Sequence, residues 1–439
     1  MDNNRKRIYL CLAKMSDSGL EKKYVNEAFD TNWVVPLGPN VTRFEELLSD
    51  YVGEEKHVVA LSSGTAAIHL ALTALGVGAG DEVCVQSFTF CASAHPVTYL
   101  GAMPVFIDSE SDTWNMDPEL LEKAILDRKA KTGSYPKAII PVSLYGMPYR
   151  IDRIMEIADC YGIPVIEDSA EGLGSRLNGR CLGTFGKYGV LSFNGNKMIT
   201  TSGGGALICQ DDVDKANITY YATQARVAYP YYHHEQIGFN YRLSNVSAGI
   251  GIGQMSVLQE HIYHHKHIQQ MYEQLLKDIP GIHIHRQPDD KAFDSNFWLC
   301  TLTLDPDLRI KGQDNAYKNE ITTAVGGAAN LLKMPKSTTT DCQPNNNVEA
   351  LRVYLSEQCN IEARPLWKPM HCQPVYNVDA DYVYDDELGC TVANGSQMTA
   401  YINGVSENLF KVGLCLPSGP CVTDDDIHYI INSIRSAIE

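Results

Sequence analysis

Between about residues 57 and 210 the chain alternates short, unbroken apolar runs with stretches whose apolar residues recur at helical spacing. His57-Val58-Val59-Ala60-Leu61 reads as a strand that enters Ser62-Ser63-Gly64-Thr65, and Ala66 to Leu72 then reads as an Ala- and Leu-rich helix. Further strand-like runs are Glu82–Val85, Pro104–Ile107, Ala138–Val142, Pro164–Ile166, Tyr188–Phe193 and Ala206–Cys209. Strands without polar alternation, separated by helices, predict an α/β fold whose mostly parallel sheet is covered on both faces. Beyond residue 255 the pattern changes. A long polar helix is expected from Met255 to about Asp278, followed by shorter alternating segments. The expected division is an N-terminal segment and large domain at 1–255 and a small α+β domain at 256–439. Two stretches without periodicity, 306–347 and 376–400, are expected as loops or excursions on the small domain.

Composition narrows the partners. The 439 residues carry a formal net charge of -17, which argues against non-specific nucleic-acid binding but leaves room for a local cationic site. The 13 cysteines are scattered, without a Cys-x-x-Cys pair, so neither a zinc site nor a disulfide framework is expected. No apolar run approaches a membrane span and no signal-like segment follows the charged first residues, so a cytoplasmic protein is expected.

Candidate chemistry centres on Lys197, which follows Ser192-Phe193-Asn194-Gly195-Asn196 and precedes Gly203-Gly204-Gly205. Upstream, Asp168 ends the apolar run Val165-Ile166 and would be costly to bury without a partner. An amine able to hold an aldehyde and a carboxylate able to keep a pyridine ring protonated are the pair that pyridoxal phosphate chemistry requires. Ser63-Gly64-Thr65, where a strand meets a helix, offers backbone N–H groups to a phosphate, although a plain helix cap reads the same way. Phe90 is a candidate plate for the ring, and Glu171 a candidate neighbour of its hydroxyl.

Other patterns do not rise to sites. Gly249-Ile250-Gly251-Ile252-Gly253 has no strand before it and no acidic residue at the spacing of a dinucleotide fingerprint, so it reads as close helix packing. His261, His264, His265 and His267 lack a carboxylate or cysteine set to complete a metal site.

In this order the motifs resemble the pyridoxal phosphate-dependent sugar aminotransferases of the DegT/StrS type, of fold type I. The resemblance rests on Ser63 to Ala67, Ser87 to Phe90, Pro141 to Gly146, Glu167 to Glu171, Ser192 to Lys197, Gly238 to Ser244 and Arg364 to His371. It implies that Lys197 carries the cofactor and Asp168 pairs with its ring nitrogen. Ser63, Gly64, Thr65 and Ser192 would then hold the phosphate. Phe90 would stack on the ring, and Glu171 would stand where many members have Gln beside the ring hydroxyl. Asn240 would reach the phosphate of a neighbouring subunit, which makes a homodimer the expected unit. Arg364, Trp367, Lys368 and His371 would contact substrate.

The same resemblance implies transfer of an amino group from glutamate to a nucleotide-linked keto sugar for cell-surface glycans. The Arg364–His371 and Leu416–Gly419 segments resemble those of enzymes acting on UDP-2-acetamido-4-keto-2,6-dideoxyhexoses. A dTDP-linked 3-keto or 4-keto sugar is the alternative acceptor. A non-catalytic protein that binds the cofactor for regulation is a further alternative, which the intact Lys197, Asp168 and Ser63–Thr65 set disfavours. Dehydratases of this fold carry His in place of the lysine, so Lys197 argues against them.

Overall fold

The computed structural model describes residues 5–53, 55–317 and 342–439. Successive residues of the first strand, His57–Leu61, feed two different cores. Val58 and Ala60 pack with Phe44 and Leu48 of the Pro39–Val52 helix, and Val59 and Leu61 pack with Ile68 and Leu72 of the Gly64–Ala74 helix. Both faces are therefore covered, which is why these strands carry no polar alternation.

Across one half of the sheet the order is His57–Leu61, Gly205–Cys209, Tyr188–Ser192, Ile166–Asp168. Parallel bridges Ile139–Val165 and Val142–Asp168 join it to the other half. That half begins Ala138–Ile140, Glu82–Gln86, Met103–Ile107, all parallel. Gly205–Cys209 runs antiparallel to both its neighbours. The expected α/β architecture, with a mostly parallel sheet, is what forms. The carboxyl ends of the parallel strands share one edge, where sheets of this class place their ligands.

The stretch 376–400 departs from expectation. It does not form loops on a small domain. Thr399–Ile402 adds in parallel to Met103–Ile107 of the large sheet, and Cys390–Asn394 and Asp381–Asp385 continue it as antiparallel strands. Its polar, Gly-containing sequence hid this because Asp381–Asp385 is an edge strand, exposed along most of its length, and shows no buried face to read. Of the stretch 306–347, residues 318–341 lie outside the described residues.

The predicted long helix forms as Leu258–Leu276. It is preceded by a separate helix, Asn245–Met255, on which the three spaced glycines lie. A Cβ on Gly251 would stand 2.7 Å from the Phe44 ring, and one on Gly253 would stand 2.5 Å from Glu21 N. The glycines thus serve close helix packing, as expected. A second sheet, entirely antiparallel, orders Ile282–Ile284, Cys300–Leu304, Gly413–Leu416, Arg364–Pro365. Among the described residues no helix is long and apolar enough to cross a membrane.

Candidate active site

Asp168 closes the Ile166–Asp168 strand with only 5% of its surface exposed. Its Oδ2 accepts from Ser93 Oγ at 2.6 Å and its Oδ1 from Ala170 N at 3.2 Å. Burial nonetheless pushes the carboxyl above its ordinary range, against the pull of Ser93, Ala170 and the Lys197 amine. Such a carboxylate is short of a full positive charge beside it. Its neighbour Glu167 is buried too, but is committed to structure. It accepts from Phe185 N at 2.6 Å, Gly186 N at 2.7 Å and Gly183 N at 3.1 Å.

Lys197 Nζ lies 3.1 Å from Glu171 Oε1 and 4.0 Å from the centroid of the Trp298 ring. Glu171 Oε2 accepts from Tyr145 N at 2.7 Å. Burial raises the Glu171 carboxyl above its ordinary range, although Lys197 and Tyr145 N oppose the shift. The structure brings Lys197, Asp168 and Glu171, three of the expected residues, into one cluster. The sequence missed Ser93, Tyr145 and Trp298. Ser93 sits on a short turn after Phe90 and carries no motif of its own. Trp298 arrives from a distant part of the chain, fixed by its Nε1 donating to Asn196 O at 2.7 Å.

Ser63 caps the Gly64–Ala74 helix, its Oγ accepting from Ala66 N at 3.0 Å. The cap reading is what the side chain shows, and a helix start also leaves its first N–H groups without intrahelical partners, as a phosphate site would need. Ser192 closes the neighbouring Tyr188–Ser192 strand. A Cβ on Gly64 would stand 3.4 Å from the Ser192 Cβ, so the two residues adjoin. The glycine run has a more specific purpose than its composition implied. A Cβ on Gly205 would come within 2.4 Å of Gly64 N, so only a bare backbone lets the strand support this turn.

Phe90 is 58% exposed. With Thr89, Cys91, His95, Trp367, Lys368, Met370 and Gln373 it lines a groove of about 340 Å³. Two of the residues expected to contact substrate, Trp367 and Lys368, line this groove. Trp367 N donates to Tyr145 Oη at 2.9 Å, tying that wall to the Glu171 cluster.

The other two expected substrate residues are placed differently. His371 is fully buried, with Nδ1 2.6 Å from Ser87 Oγ and Nε2 3.3 Å from Glu407 Oε1. It supports the wall from behind and has no face toward a ligand. Arg364 is exposed and engaged by Glu362 at 2.8 Å, outside the groove lining. Asn240 is exposed, two residues before Arg242, which bridges to Leu61 at the entrance to the Ser63–Thr65 turn. The histidines of the Leu258–Leu276 helix diverge. His261 Nδ1 lies 3.1 Å from Met198 O, His265 Nδ1 lies 3.2 Å from Phe297 O, and His267 Nε2 pairs with Asp424 at 2.9 Å.

The residues present fit pyridoxal phosphate. Asp168 lacks the cation that a protonated ring nitrogen supplies, the Gly64 turn meets Ser192 as a phosphate cradle would, and Lys197 stands beside a second carboxylate. Comparison with known proteins agrees. The family profile described as DegT/DnrJ/EryC1/StrS aminotransferase matches residues 16–325. The chain is 44% identical over 421 residues to the Bacillus subtilis protein named "Putative pyridoxal phosphate-dependent aminotransferase EpsN", covering 96% of this chain and 93% of that one. It is 33% identical over 420 residues to GDP-perosamine synthase of Caulobacter vibrioides, covering 96% of each. Among solved structures, a DegT DnrJ EryC1 StrS aminotransferase from Brucella abortus superposes with a TM-score of 0.77 at 25% identity, covering 95% of each chain.

Proposed function

From the membership of this chain in the DegT/DnrJ/EryC1/StrS aminotransferase family, we propose that it moves an amino group from glutamate to a nucleotide-linked 4-keto-6-deoxy sugar. That it is a pyridoxal phosphate-dependent sugar aminotransferase follows from the family itself. The proposal is the acceptor, UDP-2-acetamido-4-keto-2,6-dideoxyhexose, together with the residue roles below. The observation that carries the chemistry is the buried Asp168 within the field of Lys197, whose amine pairs with Glu171.

When bound, the cofactor supplies an aldehyde that takes up the amino group and a protonated ring that draws in an electron pair. Lys197 Nζ would hold the cofactor covalently and, as the free amine, would carry the proton from the amino-bearing carbon. Asp168, held by Ser93 and Ala170 N, keeps the ring nitrogen protonated. Glu171 holds the lysine amine at 3.1 Å and would stand beside the ring hydroxyl. Thr65, Gly64 and Ser192 would bind the phosphate, and Phe90 would pack on the ring. Trp367 and Lys368 bind the sugar nucleotide, Lys368 by charge. In the second half-reaction the same groups act in reverse on the sugar ketone.

The UDP assignment rests on the resemblance of the Arg364–His371 and Leu416–Gly419 segments. Likeness to a GDP-perosamine synthase favours a second reading, a GDP-linked acceptor. Incubation with glutamate and UDP-, GDP- and dTDP-linked keto sugars decides between them. Amination of the UDP-acetamido sugar is expected. Turnover of the GDP sugar alone would replace the nucleotide and leave the transamination intact.

We further propose that the working unit is a homodimer in which Asn240 reaches the neighbour's cofactor phosphate. Supporting it, the segment beside Asn240 exposes Tyr231 at 63%, Tyr232 at 79% and Ile237 at 85%. A run of large apolar side chains left bare marks an interaction surface. Ile237→Glu is expected to convert a dimer into a monomer in sedimentation analysis and to release cofactor on dilution. A monomeric wild-type protein with full cofactor content would remove the proposal.

A further inference from the structure

Away from the lysine, two cysteines far apart in sequence meet a carboxylate. Cys342 and Cys372 offer their Sγ atoms, and Glu407 a carboxylate oxygen, all within 4.8 Å of one another. Cys372 ends the short Met370–Cys372 turn, and Glu407 lies in the first turn of the Val405–Val412 helix. A point central to three atoms so spaced is no more than about 2.8 Å from each. Zinc bonds run ~2.0–2.3 Å to sulfur and oxygen, so shifts of roughly half an ångström would close the set.

We propose that Cys342, Cys372 and Glu407 bind a zinc ion, with water at the fourth position. Thiolate and carboxylate ligands select a borderline-soft divalent ion of this kind and disfavour magnesium or calcium. Binding replaces two S–H bonds with two Zn–S bonds and releases two protons to solvent.

Surrounding groups support the set. His371 Nε2, 3.3 Å from Glu407 Oε1, orients the carboxylate as outer partners of metal ligands do, and its Nδ1 is held in turn by Ser87 Oγ at 2.6 Å. Lys411 Nζ, 3.8 Å from Glu407 Oε2, offsets the negative charge of two thiolates and a carboxylate. Cys342 is partly exposed, which gives the ion a way in, and Cys372 is buried.

The ion would tie three separate parts of the chain together behind the groove wall. Met370, in the same turn as Cys372, lines the groove, and its N donates to Ser87 O at 2.8 Å. Its effect is to brace that wall, and no chemical step is assigned to it.

The test uses the full-length holoenzyme, reduced, stripped with chelator and titrated with zinc chloride, with metal content read by mass spectrometry. About one zinc per chain is expected. Titration with cobalt should give the visible ligand-field bands of a tetrahedral thiolate site, clear of cofactor absorbance. Cys342→Ser and Cys372→Ser should abolish both signals, while Cys160→Ser, at an exposed cysteine elsewhere, should leave them unchanged. Glu407→Gln keeps the side chain's shape and should weaken binding on the order of tenfold or more. Bound cofactor absorbance verifies that each variant is folded. A wild-type protein that takes up no zinc, or a Cys372→Ser protein that binds it as tightly, overturns the proposal. So does a disulfide between the two cysteines formed in place of metal binding.

Discussion

Lys197→Ala is expected to lower turnover by at least on the order of 10³-fold and to remove the visible absorbance of the lysine-bound cofactor in the same protein. Both losses follow from one atom. Lys197 Nζ is the group placed to hold the cofactor aldehyde and to move the proton, and among the described residues no other lysine stands beside Glu171 and Trp298. Because the amine pairs with Glu171, its removal leaves that buried carboxylate without its ion-pair partner and takes positive charge from the surroundings of Asp168. The variant should therefore depend more on bound cofactor for stability than the wild type does. Kinetics and an absorbance spectrum on one preparation check the pair of losses. A variant that kept its spectrum and its rate would place the reactive amine elsewhere.

Asp168→Asn separates activity from stability. Loss of the carboxylate charge is expected to reduce turnover by on the order of 10²–10³-fold, since the electrostatic partner of the electron-withdrawing ring is gone. Stability of the cofactor-free protein should move the other way. Burial raises the folded-state pKa of Asp168 above its unfolded value. For an acid so shifted, the unfolded chain releases its proton first, so stability falls as pH rises from the unfolded towards the folded pKa. Above the folded pKa that penalty is complete, and an uncharged Asn that keeps Ser93 as a partner relieves it. Denaturant melts of the cofactor-free proteins at neutral and acid pH are the check. The variant should gain at neutral pH and lose that advantage in acid. Equal stability at both would mean that Asp168 carries no buried-charge cost.

These two residues were legible in the chain because each carries its own local signal. Asp168 ends an apolar run, and Lys197 sits between a strand end and glycines. The turn at Ser63 was visible for the same reason, as a polar cap between a strand and a helix. Glu167 shows the limit of such signals, for it stands next to Asp168 in the same motif and is bonded to three backbone N–H groups. Adjacent carboxylates on one strand face opposite sides, and only the packing on each side tells which one is free for chemistry. His371 carries the same lesson. Its segment marks the groove wall, but the ring turns inward to Ser87 and Glu407.

By itself, the sequence determined the layered α/β architecture and, through short motifs that resemble a known family, the cofactor, because periodicities and motifs are local. Tertiary structure decided the rest. It brought Trp298 and Tyr145 to Lys197 and Glu171, laid strands from residues 381–402 along the large sheet, set Gly205 against the Ser63–Gly64 backbone, and gathered Cys342, Cys372 and Glu407 behind the groove. Each of these is a meeting of segments tens to hundreds of residues apart. Such meetings are selected by the packing of whole faces, and no short window of residue types records them.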